Sequence, residues 1–338
     1  MSWNDRSHIF LIFILRHAAV LLLLALAFTT SSLAATPASL SWTQLNPNTA
    51  LPARTAFASA YDPVSKKIVV FGGTDFTNEF NDTWTFDGTT WEQVQTSVTP
   101  PGRASATMAY DARIHKLVMF GGFQGFSFLN DTWLWDGATS TWTQASPTTV
   151  PTGATNPMLF TDPADGHVDM FGGYQGMFYS RSMYRWTGID WKLLSPSTTP
   201  YPRAGAVAAY DPVRKNVVLF GGISDIWVVQ NTWTWDGYDW TQENPAKQPP
   251  PLYFTRGVFD PTLGNVVVFG GGSEAVDQNT IWSWDGSTWA QIPRASRPPA
   301  RELFGTVWFA PTRQLIIFGG DLFSDGSLYS DTWSFGLN

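Results

Sequence analysis

An apolar run that ends in two glycines recurs six times along the chain. The first copy is residues 68–73 (IVVFGG), and the later Phe-Gly-Gly triplets begin at positions 120, 171, 220, 269 and 318. Successive copies are separated by 49, 51, 49, 49 and 49 residues. So regular a period, close to fifty residues, is typical of a repeat architecture. The chain is therefore expected to contain six copies of one structural unit.

Each repeat has the pattern of four short strands. In the first repeat, residues 55–61 carry mostly small side chains, and residues 67–71 form an apolar run without alternation, which indicates a strand buried on both faces. Residues 82–86 (DTWTF) and 91–94 follow as a third and a fourth strand. Asp-Pro and Asp-Gly turns join the strands in pairs. Four antiparallel strands per repeat, without any helical periodicity, predict an all-β protein, a six-bladed β-propeller.

Tryptophan marks the outer part of each predicted blade. Fifteen of the eighteen Trp residues fall at three repeated positions in the third and fourth strands. Because blades diverge from the axis outwards, large side chains are needed to fill the widening gaps between them. We therefore expect these indoles to pack between blades and not to bind a ligand.

The two ends of the chain are expected to share the sixth blade. The last repeat stops after Trp333 and has no fourth strand, whereas residues 41–45 (SWTQL) stand 49 residues before the fourth strand of the first repeat. We expect residues 41–46 to complete blade six, which closes the ring and removes exposed strand edges.

The order of these features, a hydrophobic run, Gly-Gly, Trp, Asp-Gly and Trp, resembles the kelch repeat over about residues 41 to 338. The resemblance implies a β-propeller like the central domain of galactose oxidase, in this chain a single domain over residues 35–338. A copper-radical site of the galactose-oxidase kind is excluded, because it needs a Cys-linked Tyr and the chain has no Cys.

The N-terminus has the pattern of a signal peptide. Arg6 precedes two apolar runs, of which the second, residues 18–28 (AAVLLLLALAF), is too short to span a membrane. Ser32-Leu33-Ala34 follows as a small-residue cleavage site, so we expect residues 1–34 to be removed and the protein to be secreted or periplasmic. The alternative is an uncleaved anchor over residues 9–28.

Composition excludes several functional classes. The net charge is -7 and no Lys/Arg-rich run appears, which argues against a nucleic-acid partner. No metal-ligand spacing, phosphate loop or catalytic triad can be identified in the sequence. We therefore expect no cofactor, no metal and no catalytic residue, no membrane span after signal cleavage, and a monomer.

Variable loops follow each Gly-Gly pair, at the end of the ring that we call the Gly-Gly face. Variable loops on a repeated frame are a common place for binding. Trp227 lies outside the repeated Trp positions, and Phe126, Tyr179 and Phe323 are further candidates for contact with a protein or glycan ligand. The six loops are residues 74–81, 123–130, 174–181, 223–230, 272–278 and 321–330.

Four arginines stand at one repeated position, seventeen residues before the Phe of Phe-Gly-Gly. These residues are Arg54, Arg103, Arg203 and Arg301. They could form a cationic mouth that binds carboxylates, or they could bridge to carbonyls or acids of the neighbouring blade. In kelch domains that bind acidic peptides similarly placed arginines contact the ligand, so the resemblance implies a ligand role as one possibility.

Blade three departs from the repeat. Asp169 occupies a position where the other blades have Val or Ile, and Arg185 stands in the adjacent third strand. A buried Asp needs a partner, so we expect an Asp169–Arg185 ion pair. A catalytic role for Asp169 is the alternative.

The sequence thus favours a non-catalytic module that binds a protein or a carbohydrate through the loops of the Gly-Gly face. The alternative is a carbohydrate-active enzyme such as a sialic-acid mutarotase-like epimerase, with the arginines holding a carboxylate. A purely structural envelope protein is the third possibility.

Overall fold

The structure, a computed structural model, contains six four-stranded antiparallel sheets. It describes residues 40–225, 227–273, 276–293 and 296–337. The predicted signal peptide, residues 1–34, lies outside these ranges. Within the described residues every regular element is a β-strand, which confirms the predicted all-β class.

The strands follow one another along the chain blade by blade. The N-terminal strand is β1, Leu40–Leu45. Blade 1 contains β2 Ala58–Asp62, β3 Lys67–Phe71, β4 Thr83–Phe86 and β5 Trp91–Val94. Blade 2 contains β6 Thr107–Asp111, β7 Lys116–Phe120, the small hairpin β8 Phe123–Gln124 and β9 Ser127–Phe128, then β10 Thr132–Asp136 and β11 Thr141–Gln144. Blade 3 contains β12 Met158–Thr161, β13 Val168–Phe171, β14 Met183–Trp186 and β15 Trp191–Leu194. Blade 4 contains β16 Val207–Asp211, β17 Asn216–Phe220, β18 Thr232–Trp235 and β19 Trp240–Glu243. Blade 5 contains β20 Arg256–Asp260, β21 Asn265–Phe269, β22 Ile281–Trp284 and β23 Trp289–Gln291. Blade 6 contains β24 Gly305–Phe309, β25 Gln314–Phe318, the hairpin β26 Asp321–Leu322 and β27 Ser327–Leu328, then β28 Thr332–Leu337.

The first strands of the blades surround a common axis. They contact one another in chain order, and the ring closes where the first strand of blade 6, β24, contacts that of blade 1, β2. Blades 5, 6 and 1 are therefore consecutive neighbours. The six-bladed propeller predicted from the repeat is confirmed.

The N-terminal strand completes blade 6. Strand β1 pairs antiparallel with β28 along its whole length, from Leu40 opposite Leu337 to Leu45 opposite Thr332. Trp42 stands opposite Phe335, with their ring centroids 5.0 Å apart. The predicted closure is thus present, and the backbone hydrogen bonds of β1 cover the edge that β28 would otherwise expose.

The hydrophobic core lies between the blades. The apolar residues of every second strand are fully buried, as the unalternating runs predicted. In four blades the fourth-strand Trp donates its indole N–H to a Thr hydroxyl of the preceding blade, as in Trp91 to Thr332 at 3.1 Å and Trp142 to Thr83 at 2.9 Å, whereas Trp240 donates to the sulfur of Met183 in blade 3. The repeated indoles therefore join neighbouring blades, which confirms their structural role.

The Gly-Gly pairs let the chain leave the second strand beside the next blade. Gly72 and Gly73 have φ values of 67° and 90°, in the region that favours glycine. A Cβ on Gly72 would lie 2.6 Å from the carbonyl oxygen of Arg103, and the Gly73 N–H donates to the same oxygen at 2.9 Å. Glycine is thus required for the interblade contact from which each loop starts.

Candidate interaction face

Every blade carries an exposed apolar side chain at the tip of the loop that follows Gly-Gly. Exposure ranges from 40% for Phe76 to 89% for Met177. The six tip residues, one from each blade in chain order, are Phe76, Phe126, Met177, Trp227, Val276 and Phe323. Because all six loops leave the same end of the ring, these side chains lie on one face.

Short turns fix the backbone of several tips. The Asp75 carboxylate accepts hydrogen bonds from the backbone N–H groups of Thr77 and Asn78 at 2.9 and 2.7 Å. In blade 4, the Ser224 N–H and hydroxyl both donate to the carbonyl of Trp227, and in blade 5 Ser273 does the same to Val276. These bonds preorganise the tips, which reduces the entropy lost when a partner orders them.

Phe76 has a strained backbone at its tip. Its φ is 71°, a region that is rare for a bulky residue, and its N–H donates to the Thr74 hydroxyl at 2.9 Å. Strain of this kind costs of order 1–3 kcal/mol and is found preferentially at functional sites. In this loop it presents an aromatic ring to solvent.

Aromatic contacts connect the loops of blades 2 and 3. The ring centroids of Phe128 and Tyr174 lie 5.8 Å apart, and those of Tyr174 and Tyr179 lie 5.0 Å apart. Tyr179 is only partly exposed, and burial, with the nearby Tyr174 and Asp225, raises its pKa to about 12. Tyr179 therefore supports the loop more than it projects from it.

Trp227 belongs to an exposed aromatic pair. Its ring stands edge-on to Tyr201, with the centroids 6.2 Å apart, and both side chains are exposed. Tyr201 lies in the connection that enters blade 4, so two separate segments form the pair. The sequence identified Trp227 but missed Tyr201, which stands between two prolines in a segment without repeat signals.

The four repeated arginines are enclosed by protein, with at most 1% exposure. Arg54 donates to both carboxylate oxygens of Asp82 at 2.6 and 2.9 Å, and to the Gly72 carbonyl at 3.0 Å. Arg103 with Asp131 and Arg301 with Asp331 repeat this arrangement in blades 2 and 6.

Of the two roles that the sequence left open, the cationic mouth is therefore not formed by these buried arginines. The alternative structural role fits, with one correction: the acceptor is an acid of the same blade, not of the neighbouring one. Burial pushes the pKa of Asp82 up, but the hydrogen bonds and charge of Arg54 outweigh it and hold that pKa below its usual value. Direct ligand contact by the arginines would require the loops to open.

Blade 4 lacks one half of this ion pair. Arg203 donates from Nη1 to the Asn231 side-chain oxygen at 2.8 Å, and its Nη2 is buried without a partner among the described residues. The indole N–H of Trp233 is likewise buried and unpaired there, whereas Trp84, Trp133 and Trp333 donate to the acid of their own blade. Burial lowers the pKa of Arg203 to about 9.

The predicted ion pair of blade three is confirmed. Arg185 donates to both oxygens of Asp169, from Nε at 2.8 Å and from Nη2 at 2.9 Å. Asp162 and Asp165 also contact its guanidinium, at 2.6 and 3.0 Å. Burial nevertheless raises the pKa of Asp169 to about 7, against the opposing effect of Arg185. The cluster connects the turn between the first two strands of blade 3 with its second and third strands. This arrangement favours a structural role for Asp169 over a catalytic one.

Three acids lie at the junction of blades 5 and 6. Glu302 and Asp321 form an isolated β-bridge and are both buried, and Asp277 accepts a hydrogen bond from the backbone N–H of Phe323 at 2.7 Å. Burial, followed by the charges of Asp321 and Asp277, raises the pKa of Glu302 to about 9. Glu302 is thus expected to be neutral at physiological pH.

A cavity of about 150 Å³ occupies the end of the axis nearest the Gly-Gly face. All six blades line it, with residues at the start of their first strands. Arg256 is the one charged residue in that lining. No helix of the described ranges is long and apolar enough to cross a membrane, and no cluster of three metal-ligating side chains occurs among the same residues.

Met177 and Val276 were missed by reasoning from the sequence. Both are strongly exposed at loop tips. They were missed because only aromatic side chains were considered as candidates in these loops. Of the predicted residues, Phe126, Trp227 and Phe323 are exposed on the Gly-Gly face, whereas Tyr179 and the four arginines lie beneath it.

One family model matches the chain. It is the KLHDC2/KLHL20/DRC7 Kelch-repeats domain, and the match covers residues 27–185, which include blades 1 and 2 and most of the strands of blade 3. No curated protein matches the chain. The matched repeats and the six four-stranded blades together support the classification of the chain as a kelch-repeat protein.

Proposed function

We propose that this chain is an exported, non-catalytic module that binds a protein partner through the Gly-Gly face. The observation that carries the proposal is the ring of six exposed apolar tips, one on each blade. Isolated apolar residues on a surface need no explanation, but the same loop exposes one in every blade. Aromatic residues and Met are enriched at protein interfaces, and they supply five of the six tips.

The charge of the loops indicates the chemistry of the partner. The six loops contain seven acidic residues and only one basic residue, Arg181. Complementary charge steers association and excludes wrong partners. The favoured partner is therefore a protein segment that has apolar side chains flanked by Lys or Arg.

A protein fits these tips better than a glycan does. Sugar rings stack on aromatic faces, whereas Met177 and Val276 offer none, and the exposed pair of Trp227 and Tyr201 occupies one blade only. The mutarotase-like alternative is less well supported, because its carboxylate-binding arginines would have to leave their buried ion pairs.

Selection from a random peptide library tests the proposal. We expect the wild-type chain to enrich peptides that combine apolar and basic residues, and the double variant Phe126→Ser/Met177→Ser to lose them. Ile189→Ser is the matched control, since Ile189 is 80% exposed at the opposite end of the ring. No enrichment, or enrichment that the tip variant retains, contradicts the proposal. Glycan-array binding that depends on Trp227, without peptide binding, would favour a lectin instead.

Export is proposed from the N-terminal sequence alone. The apolar core at residues 18–28 and the Ser32-Leu33-Ala34 site support it. Intact-mass analysis of the chain purified from its native host is expected to give a mature protein that begins at Ala35. A chain that retains residues 1–34 would contradict cleavage and favour the anchor.

A further inference from the structure

Arg256 is a departure from the repeat that the scaffold does not require. It is the first residue of β20 and stands opposite the Phe of Phe-Gly-Gly in the ladder. The same ladder position in the other five blades is occupied by uncharged residues, which are Ala58, Thr107, Met158, Val207 and Gly305. The four repeated arginines, by contrast, belong to a structural motif that recurs.

The guanidinium of Arg256 has few protein partners. Its Nε donates to the Phe304 carbonyl at 3.3 Å, and no further hydrogen bond and no ion pair of this guanidinium is found within the described chain. Burial lowers the pKa of Arg256 to about 10, against the opposing effect of Glu302, so Arg256 stays charged at neutral pH. The lining of the axial cavity thus contains one positive charge and no acid, and a buried charge without an anion beside it is costly.

Two hydroxyl groups lie on the same side of the cavity. Thr306 of blade 6 and Ser59 of blade 1 are each the second residue of a first strand, and blades 5, 6 and 1 are consecutive. Arg256, Thr306 and Ser59 therefore form a polar arc along three neighbouring blades. Hydroxyls beside a guanidinium can donate further hydrogen bonds to a bound carboxylate, for which Thr306 would exchange its long 3.4 Å bond to the Ile316 carbonyl.

Most side chains of the opposite wall of the cavity are apolar. This wall comes from blades 2, 3 and 4, and its apolar residues Met108, Met158, Leu159, Ala206 and Val207 stand beside the polar residues Thr107 and Asn156. One water needs about 10–15 Å³ of such space, so a cavity of about 150 Å³ holds a molecule of several heavy atoms. A polar arc that faces mostly apolar side chains fits a molecule with one charged end and a short aliphatic body.

We propose that the axial cavity binds a small free organic carboxylate, with its carboxylate on Arg256, Ser59 and Thr306 and its aliphatic part against the wall of blades 2 to 4. This site is separate from the loop tips and does not depend on the proposed protein binding.

Thermal unfolding and calorimetric titration with sodium butyrate test the site. Butyramide, a neutral molecule of nearly the same shape, and sodium chloride at equal ionic strength are the ligand controls. Butyrate is expected to stabilise the wild-type chain more than acetate does, because acetate does not reach the apolar wall. Butyramide and chloride are expected to give no comparable stabilisation.

Variants locate the carboxylate. Arg256→Met, which keeps the volume and removes the charge, is expected to weaken butyrate binding at least tenfold, and Ser59→Ala to weaken it less. Arg113→Met, at an exposed arginine near the other end of the axis, is the matched control and should bind like the wild type.

An equal response of the wild type to butyrate and butyramide overturns the proposal, as does a response that Arg256→Met retains in full. If Arg256→Met does not fold, the comparison of butyrate with butyramide on the wild-type chain decides alone. Stronger binding of inorganic phosphate than of butyrate would also contradict it, since phosphate makes no use of the apolar wall.

Discussion

At the scale of single residues, blade 4 shows what the acid of the repeated ion pair contributes. In blades 1, 2 and 6 the acid accepts hydrogen bonds from both Nη atoms of the arginine and from an indole N–H, as Asp82 does. In blade 4, Asn231 accepts only one hydrogen bond, from Nη1 of Arg203. Two buried donors, Nη2 of Arg203 and Nε1 of Trp233, are left without acceptors in the part of the chain that the structure describes.

Asn231→Asp is therefore predicted to stabilise the protein. The second carboxylate oxygen would accept from both orphaned donors, and hydrogen bonds to charged groups contribute about 1.5–3 kcal/mol each. Allowing for the desolvation of the new carboxylate, we expect a gain of about 1–3 kcal/mol in chemical denaturation. Ser182→Asp is the matched control, because blade 3 has Ala154 at the arginine position. No gain, or an equal gain in the control, would contradict this explanation.

The buried acid Glu302 makes stability depend on pH. Its pKa in the folded chain is about 9 against an ordinary value of 4.5, because burial and the charges of Asp321 and Asp277 disfavour ionisation. Between these two pH values the folded state binds more protons than the unfolded state, so stability falls as the pH rises. The contribution of Glu302 is therefore complete below pH 4.5 and is lost as the pH rises through 9.

Glu302→Gln is predicted to remove part of the alkaline loss of stability. The melting temperature of the wild type should fall between about pH 6 and the folded-state pKa of about 9, and that of the variant should fall less. Glu92→Gln, at an exposed glutamate, should follow the wild type. Parallel curves for all three proteins would show that Glu302 does not titrate in this range.

Residue pairs were predictable only where the strand pattern placed them side by side. Asp169 and Arg185 break the apolar pattern of adjacent strands, and the register brings them opposite each other. The partner of Arg54 was not predictable in the same way, because Asp82 is 28 residues away beyond a variable loop. Burial of these arginines depends on how that loop folds over them, and the conformation of a variable loop cannot be predicted from the repeat pattern.

At the scale of elements, the tryptophans of the outer strands hold the blades together. Trp133 packs with Ala58, Val69 and Phe71 of blade 1, and its indole N–H donates to Asp131 at 2.7 Å. Because it is almost fully buried, Trp133→Ala is predicted to destabilise the chain by about 3–5 kcal/mol.

The exposed Trp227 provides the comparison. Trp227→Ala is expected to change the free energy of unfolding by no more than about 0.5 kcal/mol, as is usual for surface substitutions. Urea denaturation measures both variants. A small effect of Trp133→Ala, or equal effects of the two, would contradict the assignment of the repeated indoles to interblade packing.

The strands were predictable and the loops were not. Apolar runs, Gly-Gly pairs and Asp-Gly turns repeat at nearly fixed spacing, so the same strand can be identified at equivalent positions in all six repeats. The loops have no such redundancy: those of blades 2 and 6 form small hairpins, β8–β9 and β26–β27, whereas those of blades 1, 4 and 5 are fixed by single polar side chains.

At the scale of the whole molecule, one short strand closes the ring. Residues of β1 pair with β28 over six positions, and without them β28 would be an exposed edge. Deletion of residues 41–46 is predicted to cause unfolding or aggregation, which size-exclusion chromatography and thermal melting would detect. A monomer with the melting temperature of the intact chain would contradict the role of β1.

The closed ring is what places six loop tips on one face, and binding at that face is the central claim. Its most direct test is the dissociation constant of a peptide selected on the wild-type chain, measured for the wild type, Phe126→Ser/Met177→Ser and Ile189→Ser. We predict at least a tenfold weaker affinity for the tip variant and an unchanged affinity for Ile189→Ser. Equal affinity for all three, or a loss confined to Ile189→Ser, would contradict it.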